Sequence, residues 1–257
     1  MLFRLIIYIS TFFIFSCSGF NKKELSNQER FEKGQDYFIS KKFQKAKTEF
    51  EFIIQNEQGT NLGLESTFYL AKTLFELKSY DEASYNFNYY SMFSKDINNI
   101  EFAQFMKCKC SFKLTKPYNN DQSESLLCIS MVQEFLDNFP YSIHVEEAYD
   151  MVVKLRNRIA KKHYETAKLY LKMKEFESAF YYFDIVLSDY YDTKYYDETI
   201  ISYIFTYIVM DDYNKAAVYF DSNKSKFKSE KKLEEAQKIL SKYKDSMGIS
   251  GYFRLYR

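Results

Sequence analysis

A short pattern of aromatic, polar and small residues returns along the chain. Each clear copy has an aromatic residue, two polar residues and a small residue, with a second aromatic four positions later. The clear copies are 43–46 with Phe50, 80–83 with Phe87, 176–179 with Phe183 and 213–216 with Phe220, and a weaker copy centres on Cys128 and Val132. Ala46 and Ala83 are 37 residues apart, as are Ala179 and Ala216. This period is typical of tetratricopeptide (TPR) helix pairs, which bury their apolar faces only by stacking.

We therefore expect an all-α, TPR-like α-solenoid of about five helix pairs. The predicted pairs are 27–58, 64–96, 100–139, 146–191 and 196–222, followed by a closing helix at 229–246. Small residues recur at the eighth position of the first helix, where paired helices approach most closely; they are Gly34, Ala71, Cys108 and Ala167. A turn-rich insertion at 115–123 splits the third pair, and a long helix over 145–172 links it to the fourth.

Composition agrees with short loops and argues against a nucleic-acid partner. The chain has six Gly and two Pro in 257 residues, whereas sheet sandwiches need many such residues for their turns. The formal net charge is +1 with 28% charged residues, so the two signs are well mixed. Without a basic field, binding to nucleic acid is not expected.

The first residues predict export and lipidation. After Arg4, residues 5–15 form an apolar run of 11 residues, sized like the core of a secretory signal. The run ends in Ile14, Phe15, Ser16 and Cys17, which resembles a bacterial lipobox. We expect Cys17 to carry the lipid, and Ser18 after it favours the periplasmic face of the outer membrane. An ordinary signal peptide or an uncleaved anchor are the alternatives.

These features divide the chain into five segments. They are a lipoprotein signal peptide at 1–16, a lipidated tether at 17–27, TPR repeats 1–3 at 28–140, repeats 4–5 with the closing helix at 141–247, and a tail at 248–257.

Taken together, the chain resembles the BamD family of outer-membrane lipoproteins. The resemblance rests on the lipobox, the repeat count and the segments 118–122, 135–142, 155–160, 165–170 and 187–193, where Tyr191 replaces an expected Pro. It covers essentially the whole mature chain. It implies a role in inserting β-barrel proteins into the outer membrane. The implied partners are the POTRA domains of a BamA-like barrel subunit and the C-terminal signals of unfolded outer-membrane proteins.

A separate pattern predicts where a peptide binds. In the first three repeats, positions 5 and 12 of the first helix are both Phe, two turns apart on one face. The predicted groove consists of Phe31, Phe38, Phe68, Lys72, Phe75, Phe105, Lys109 and Phe112. Phenylalanines with lysines between them suit an aromatic-rich peptide that ends in a carboxylate. The alternative is that these rings are core residues, since aromatic stripes at helical spacing usually are. We assign partner docking to the C-terminal half.

No motif in the sequence indicates catalysis, a cofactor or a metal. His144 and His163 are 19 residues apart and lack metal-ligand spacing. Cys108 and Cys128 occupy facing positions of the third repeat, so one interpretation is a disulfide between them in an oxidising compartment. The simpler interpretation is that both are small residues at small-residue positions.

The sequence thus predicts a non-enzymatic, lipid-anchored component of the β-barrel assembly machinery. The alternative is a TPR lipoprotein that organises peptidoglycan or polysaccharide metabolism in the cell envelope. A soluble cytoplasmic adaptor would require the leader to be misinterpreted.

Overall fold

The computed structural model describes residues 24–242, and helices account for its regular structure. The helices are α1 (Asn27–Ile39), α2 (Phe43–Asn56), α3 (Asn61–Glu76), α4 (Tyr80–Phe93), α5 (Ile97–Leu114), α6 (Ser123–Asn138), α7 (Val145–Lys172), α8 (Phe176–Asp189), α9 (Tyr195–Val209), α10 (Tyr213–Asn223) and α11 (Glu230–Lys242), with a 3₁₀ turn at Lys224–Lys226. Each packs on its neighbour along the chain. The expected all-α, TPR-like solenoid is confirmed.

The first helix of four pairs ends in the same turn. Lys41, Lys78, Lys174 and Asp211 have φ between 56° and 64°, in the left-handed region. In the second pair, Lys78 N–H donates to the Phe75 carbonyl at 3.0 Å and Ser79 N–H donates to the Leu74 carbonyl at 2.9 Å. This is the Schellman motif, which satisfies the last carbonyls of a helix and reverses the chain in three residues. The repeated turn makes successive helices antiparallel.

Small residues allow the paired helices to approach closely. Gly34 in α1 is buried, and a Cβ at this position would lie 2.7 Å from Cε1 of the Phe50 ring. Ala71 in α3 and Ala83 in α4 are fully buried. The residues at the crossing points are therefore small because a neighbouring side chain occupies the space that a larger one would need.

Two hydrophobic cores follow one another along the solenoid. The first extends from Ala46 to Leu155, and the second extends from Ala160 to Leu240. The long helix α7 belongs to both, since Met151 lies in the first core and Leu171 lies in the second. The two halves of the protein are therefore joined by one continuous helix rather than by a loop.

The predicted insertion in the third pair folds onto α7. Arg158 Nη1 donates to Thr115 Oγ1 at 2.6 Å, and Lys162 Nζ donates to the Asn120 carbonyl at 2.9 Å. Inside the loop, the buried Gln122 side chain donates to the Pro117 carbonyl at 2.8 Å. These bonds tie the insertion to the helix that connects the two cores.

Candidate functional site

The six phenylalanines predicted to line a groove lie on α1, α3 and α5, but they are not equally accessible. Four are half-buried, namely Phe31, Phe38, Phe75 and Phe112. Phe68 and Phe105 are buried, with 6% and 1% of their surface exposed. The rings therefore do not form one uniform exposed row along the first three repeats.

Phe68 and Phe105 belong to the core, which corrects the groove expectation for these two residues. The Phe68 ring lies between Tyr90 of α4, at 4.6 Å between centroids, and Phe102 of α5, at 5.8 Å. The Phe105 ring stacks on His144 at 4.1 Å. Both residues are buried because side chains of other helices pack against their rings. The periodicity of one helix does not predict which side chains those are.

Phe75 and Phe112 lie near the ends of their helices. The Phe75 ring packs edge-to-face on Tyr80 at 5.4 Å. The Arg158 guanidinium lies 6.0 Å from the Phe112 centroid. Both residues are half-buried, so both remain compatible with a binding surface.

Lys72 lies in a box of aromatic rings. Its Nζ is 4.7 Å from the Tyr69 centroid, 5.2 Å from Phe38 and 5.4 Å from Phe68. Burial lowers the pKa of Lys72 below its ordinary value, because the ammonium loses hydration. Within residues 24–242, no carboxylate forms an ion pair with it. A half-buried cation that lacks a counter-ion is suited to bind an anionic ligand.

Lys109, the equivalent residue of the third repeat, is in a different electrostatic situation. Its Nζ lies 2.8 Å from a carboxylate oxygen of Glu147 at the start of α7, and 5.4 Å from the Phe105 centroid. Its charge is therefore balanced within the protein. Of the two predicted lysines, Lys72 is the stronger candidate for an anion-binding group.

Tyr69 completes the box, and the sequence analysis did not identify it. Its ring packs edge-to-face on Phe31 at 5.4 Å and on Phe38 at 6.4 Å, and it is the nearest ring to Lys72. A sequence signal for it exists, since an aromatic residue directly follows Phe68. The seven-residue spacing of the phenylalanines does not include Tyr69. Its ring instead packs on α1, a contact that the pattern within α3 does not predict.

Cys108 and Cys128 are both free thiols and both buried, so the structure contains no disulfide between them. The Cys128 thiol lies 3.9 Å from the Cys108 carbonyl oxygen. Burial raises the pKa of Cys108 to about 12. The two residues act here as small side chains at the crossing of α5 and α6.

Other predicted features give little further chemistry. Within 24–242, no group of three or more His, Cys, Asp or Glu side chains is arranged to hold a metal ion. The same part of the chain contains no helix long and apolar enough to cross a membrane. Cys17, the signal peptide and the tail at 248–257 lie outside the described residues.

Comparison with known proteins identifies relatives of the chain. It is 22% identical to the outer membrane protein assembly factor BamD of Rickettsia prowazekii (strain Madrid E) over 179 residues, which cover 70% of this chain and 71% of the relative. Among solved structures, it is similar to a thermophilic TPR protein of Thermus thermophilus, with 12% identity and a TM-score of 0.36. A second is a tetratricopeptide repeat protein of Parabacteroides merdae, with 13% identity and a TM-score of 0.27. Both alignments cover 84% of this chain and 98% of the other chain.

The family assignment rests on a longer match. The model of the YfiO family, described as outer membrane lipoproteins, matches residues 23–219. That range contains the helices α1 to α9 and most of α10. It includes the aromatic box around Lys72, the insertion at 115–122 and the whole of α7. The chain belongs to the YfiO family of outer membrane lipoproteins.

Proposed function

We propose that this protein is a lipid-anchored component of the machinery that assembles β-barrel proteins in the outer membrane. Membership in an outer-membrane lipoprotein family is the observation that carries the proposal. The name of the Rickettsia relative, an outer membrane protein assembly factor matched over 71% of its length, agrees with it. The lipobox at Cys17 supplies the anchor at the periplasmic face. The protein acts by binding alone.

On the substrate side, the aromatic box around Lys72 captures the C-terminal signal of an unfolded outer-membrane protein. The ammonium of Lys72 has no counter-ion among the described residues, and a peptide carboxylate would supply one. The half-buried rings of Phe38 and Tyr69 beside it offer apolar contact to the last side chains of the peptide. An extended peptide bound by many weak contacts needs no chemistry from the protein.

On the partner side, the C-terminal half binds the POTRA domains of a BamA-like barrel subunit. Its helices leave large apolar side chains in solvent: Leu169 of α7 is 56% exposed, Tyr181 of α8 is 63% exposed and Val218 of α10 is 67% exposed. These side chains would supply apolar contacts to the partner if they were covered together.

Affinity purification of the full-length protein from solubilised outer membranes tests the proposed assembly role. We expect a BamA-like barrel subunit to be recovered with the wild-type protein. Recovery of peptidoglycan- or polysaccharide-handling enzymes with no barrel-assembly subunit would reject the proposal in favour of an envelope-metabolism scaffold.

Peptide binding tests the role of Lys72. The probe is a synthetic decapeptide with the C-terminal sequence of an outer-membrane β-barrel protein, made with a free carboxylate and with an amide. We expect Lys72→Gln to weaken binding of the free-acid peptide about tenfold, the effect of losing one charge-assisted hydrogen bond. Isothermal titration calorimetry provides the affinities.

Two comparisons make this test specific. The Lys72→Gln variant should bind the amidated peptide as the wild-type protein does, because the lost contact involves only the carboxylate. The matched control is Lys113→Gln, which removes an exposed charge from the end of the neighbouring helix α5. Equal weakening for the free-acid and amidated peptides would show that Lys72 does not contact the carboxylate.

A further inference from the structure

One edge of the N-terminal half collects the start of the folded chain and three helix connections. We name it the anchor edge; it consists of Asn27 and the segments 57–61, 92–97 and 139–145. Because successive helices are antiparallel, these segments lie at the same end of the stack. A cavity of about 550 Å³ lies between the residues 57–64 and the last turns of α4.

Two hydrogen bonds join these segments in pairs. Asn27 Nδ2 donates to Glu57 Oε1 at 2.6 Å, which joins the start of α1 to the α2–α3 connection. At the other end, Ser142 Oγ donates to Glu101 Oε1 at 2.6 Å, which joins the α6–α7 connection to the first turns of α5. These two bonds hold the segments of the anchor edge in two neighbouring pairs.

Five large apolar side chains of this edge are exposed, beside the exposed charges of Lys95 and Asp96. Tyr141 and Ile143, in the α6–α7 connection, are 98% and 89% exposed and exceed every other large hydrophobic residue of 24–242. In the α4–α5 region, Ile97 is 72% exposed, Met92 69% and Phe93 57%. Exposure of this extent in water is unfavourable for five neighbouring apolar residues unless something covers them.

Several carboxylates of this edge, in contrast, are used inside the protein. Asp96 caps α5 by accepting from the N–H groups of Asn98 and Asn99 at 3.0 and 3.2 Å. Glu57 and Glu101 accept the hydrogen bonds described above. These three carboxylates therefore already have partners within the protein.

The opposite edge of the N-terminal half carries exposed lysines at two of its turns. Its first two turns carry Lys41 and Lys78 in the left-handed conformation, and both are exposed. The exposed Ile39 on this edge is followed two residues later by Lys41. This edge also carries the exposed Leu126 and Leu127 at the start of α6, at 53% and 62%, so its largest exposures fall below those of Tyr141 and Ile143.

The long helix α7 confines the apolar edge to the N-terminal half. Arg156 holds the α8–α9 connection, with its Nε and Nη2 donating to the Asp192 carboxylate at 2.8 and 2.6 Å. That connection therefore lies 11 residues along α7 from Val145, about 16 Å from the anchor edge at 1.5 Å per residue. The C-terminal repeats are set back from it.

We propose that the anchor edge rests on the lipid bilayer, with Tyr141, Ile143 and Ile97 at the boundary of headgroups and acyl chains. The proposal rests on the lipid anchor of the proposed function. Cys17 lies nine residues before Ser26, which caps α1, so the lipid is tethered within about 30 Å of this edge. Aromatic and aliphatic side chains favour that boundary.

Single-tryptophan variants test this contact, because the chain contains no Trp. The full-length lipidated protein is reconstituted into vesicles of phosphatidylethanolamine and phosphatidylglycerol with brominated acyl chains. We expect the Ile143→Trp variant to lose about half of its fluorescence to the bromine and to emit at shorter wavelength, as residues at the acyl boundary do. The matched control is Ile39→Trp, an equally apolar and 77% exposed position on the opposite edge, which should show neither effect.

The outcomes separate the anchor from the edge. Failure of the protein to float with vesicles would reject the lipid anchor, and the edge proposal with it. Flotation with equal quenching of Ile143→Trp and Ile39→Trp would reject the edge proposal alone. Ile97→Trp repeats the measurement should Ile143→Trp misfold. Shielding of Ile143→Trp from a water-soluble quencher in native membranes, without bromine quenching in vesicles, would assign the edge to a protein partner and overturn the proposal.

Discussion

At the scale of single residues, burial shifts the pKa values of ionisable groups in this protein, downward for a lysine and upward for cysteines. It lowers the pKa of Lys72, and it raises the pKa of both Cys108 and Cys110 to about 12. The cause is the same, since the charged form of each group loses its hydration in the interior. For the lysine, the charged form is destabilised, and a bound anion would offset that loss. For the cysteines it is an inert thiol.

The buried thiols predict a loss of stability in alkali. A thiol with a raised pKa binds its proton more tightly in the folded state, so its stabilising contribution is complete below the unfolded pKa near 8.5 and is lost as pH rises from there towards 12. We expect the free energy of unfolding to fall between pH 8 and 10, by up to about 1 kcal/mol per thiol and pH unit. Urea denaturation measures it.

The control is a variant with Cys108→Ala and Cys110→Ala. It keeps the tyrosines that also titrate in alkali, such as Tyr219, whose pKa is raised by burial. The variant should lose less stability than the wild-type protein over the same pH interval. Parallel curves for the two proteins would contradict the assignment to the thiols.

At the scale of the helix pair, the repeated Schellman turn decides how the first helix meets the second. Glycine favours the left-handed position of this motif, yet here Lys or Asp occupies it in four pairs. A residue with a Cβ in this conformation is strained by about 1 kcal/mol. The turn is therefore imposed by the packing of the pair rather than chosen by the local residue.

This strain predicts that Lys78→Gly stabilises the protein. Lys78 is exposed, with φ of 63°, and glycine adopts this conformation without strain. We expect the free energy of unfolding to increase by about 0.5–1 kcal/mol, measured by urea denaturation. The matched control is Lys238→Gly in the helical interior of α11, where glycine should destabilise by about 1 kcal/mol. Destabilisation by Lys78→Gly would show that the lysine side chain has a role at the turn.

At the scale of the whole molecule, α7 couples two cores that each belong to different helix pairs. It supplies Met151 and Leu155 to the first core, and Ala160, Tyr164 and Leu171 to the second. A peptide signal bound near Lys72 and a partner bound to the C-terminal half would therefore be held in a geometry set by one helix.

Breaking α7 between the cores should uncouple them. Asn157 lies between Leu155 and Ala160, and proline there removes a backbone hydrogen bond and clashes with the preceding turn, at about 3 kcal/mol or more. We expect the Asn157→Pro variant to unfold in two thermal transitions instead of one, as followed by circular dichroism and calorimetry. The control, Asn157→Ala, removes the side-chain bonds to Val153 and Lys194 but keeps the helix. A single transition for Asn157→Pro would show that contacts outside α7 couple the cores.

Much of the architecture was predictable because the helices are amphipathic and recur with one period. The sequence predicted a helix over 145–172, and α7 spans Val145–Lys172. It also predicted the turn-rich break that separates α5 from α6. Local patterns suffice here because TPR pairs contact mainly their neighbours in sequence.

The candidate site was predictable only in part. Spacing along a helix identified Phe38 and Lys72 as residues of one surface, and the two lie 5.2 Å apart, ring centroid to Nζ. It could not identify Tyr69, which reaches from α3 to α1, or show that Phe68 is covered by Tyr90 and Phe102. Those outcomes depend on side chains of other helices.

The sequence pattern determined the order of the helices and their pairing, because helical periodicity and small crossing residues are local properties. It also determined the membership of an outer-membrane lipoprotein family. Packing between repeats settled the rest. It left Lys72 without a counter-ion while pairing Lys109 with Glu147, and it gathered Tyr141, Ile143 and Ile97 on one edge. Only the tertiary structure decides these properties, since the charge balance and the exposure of a side chain depend on which helices pack against it.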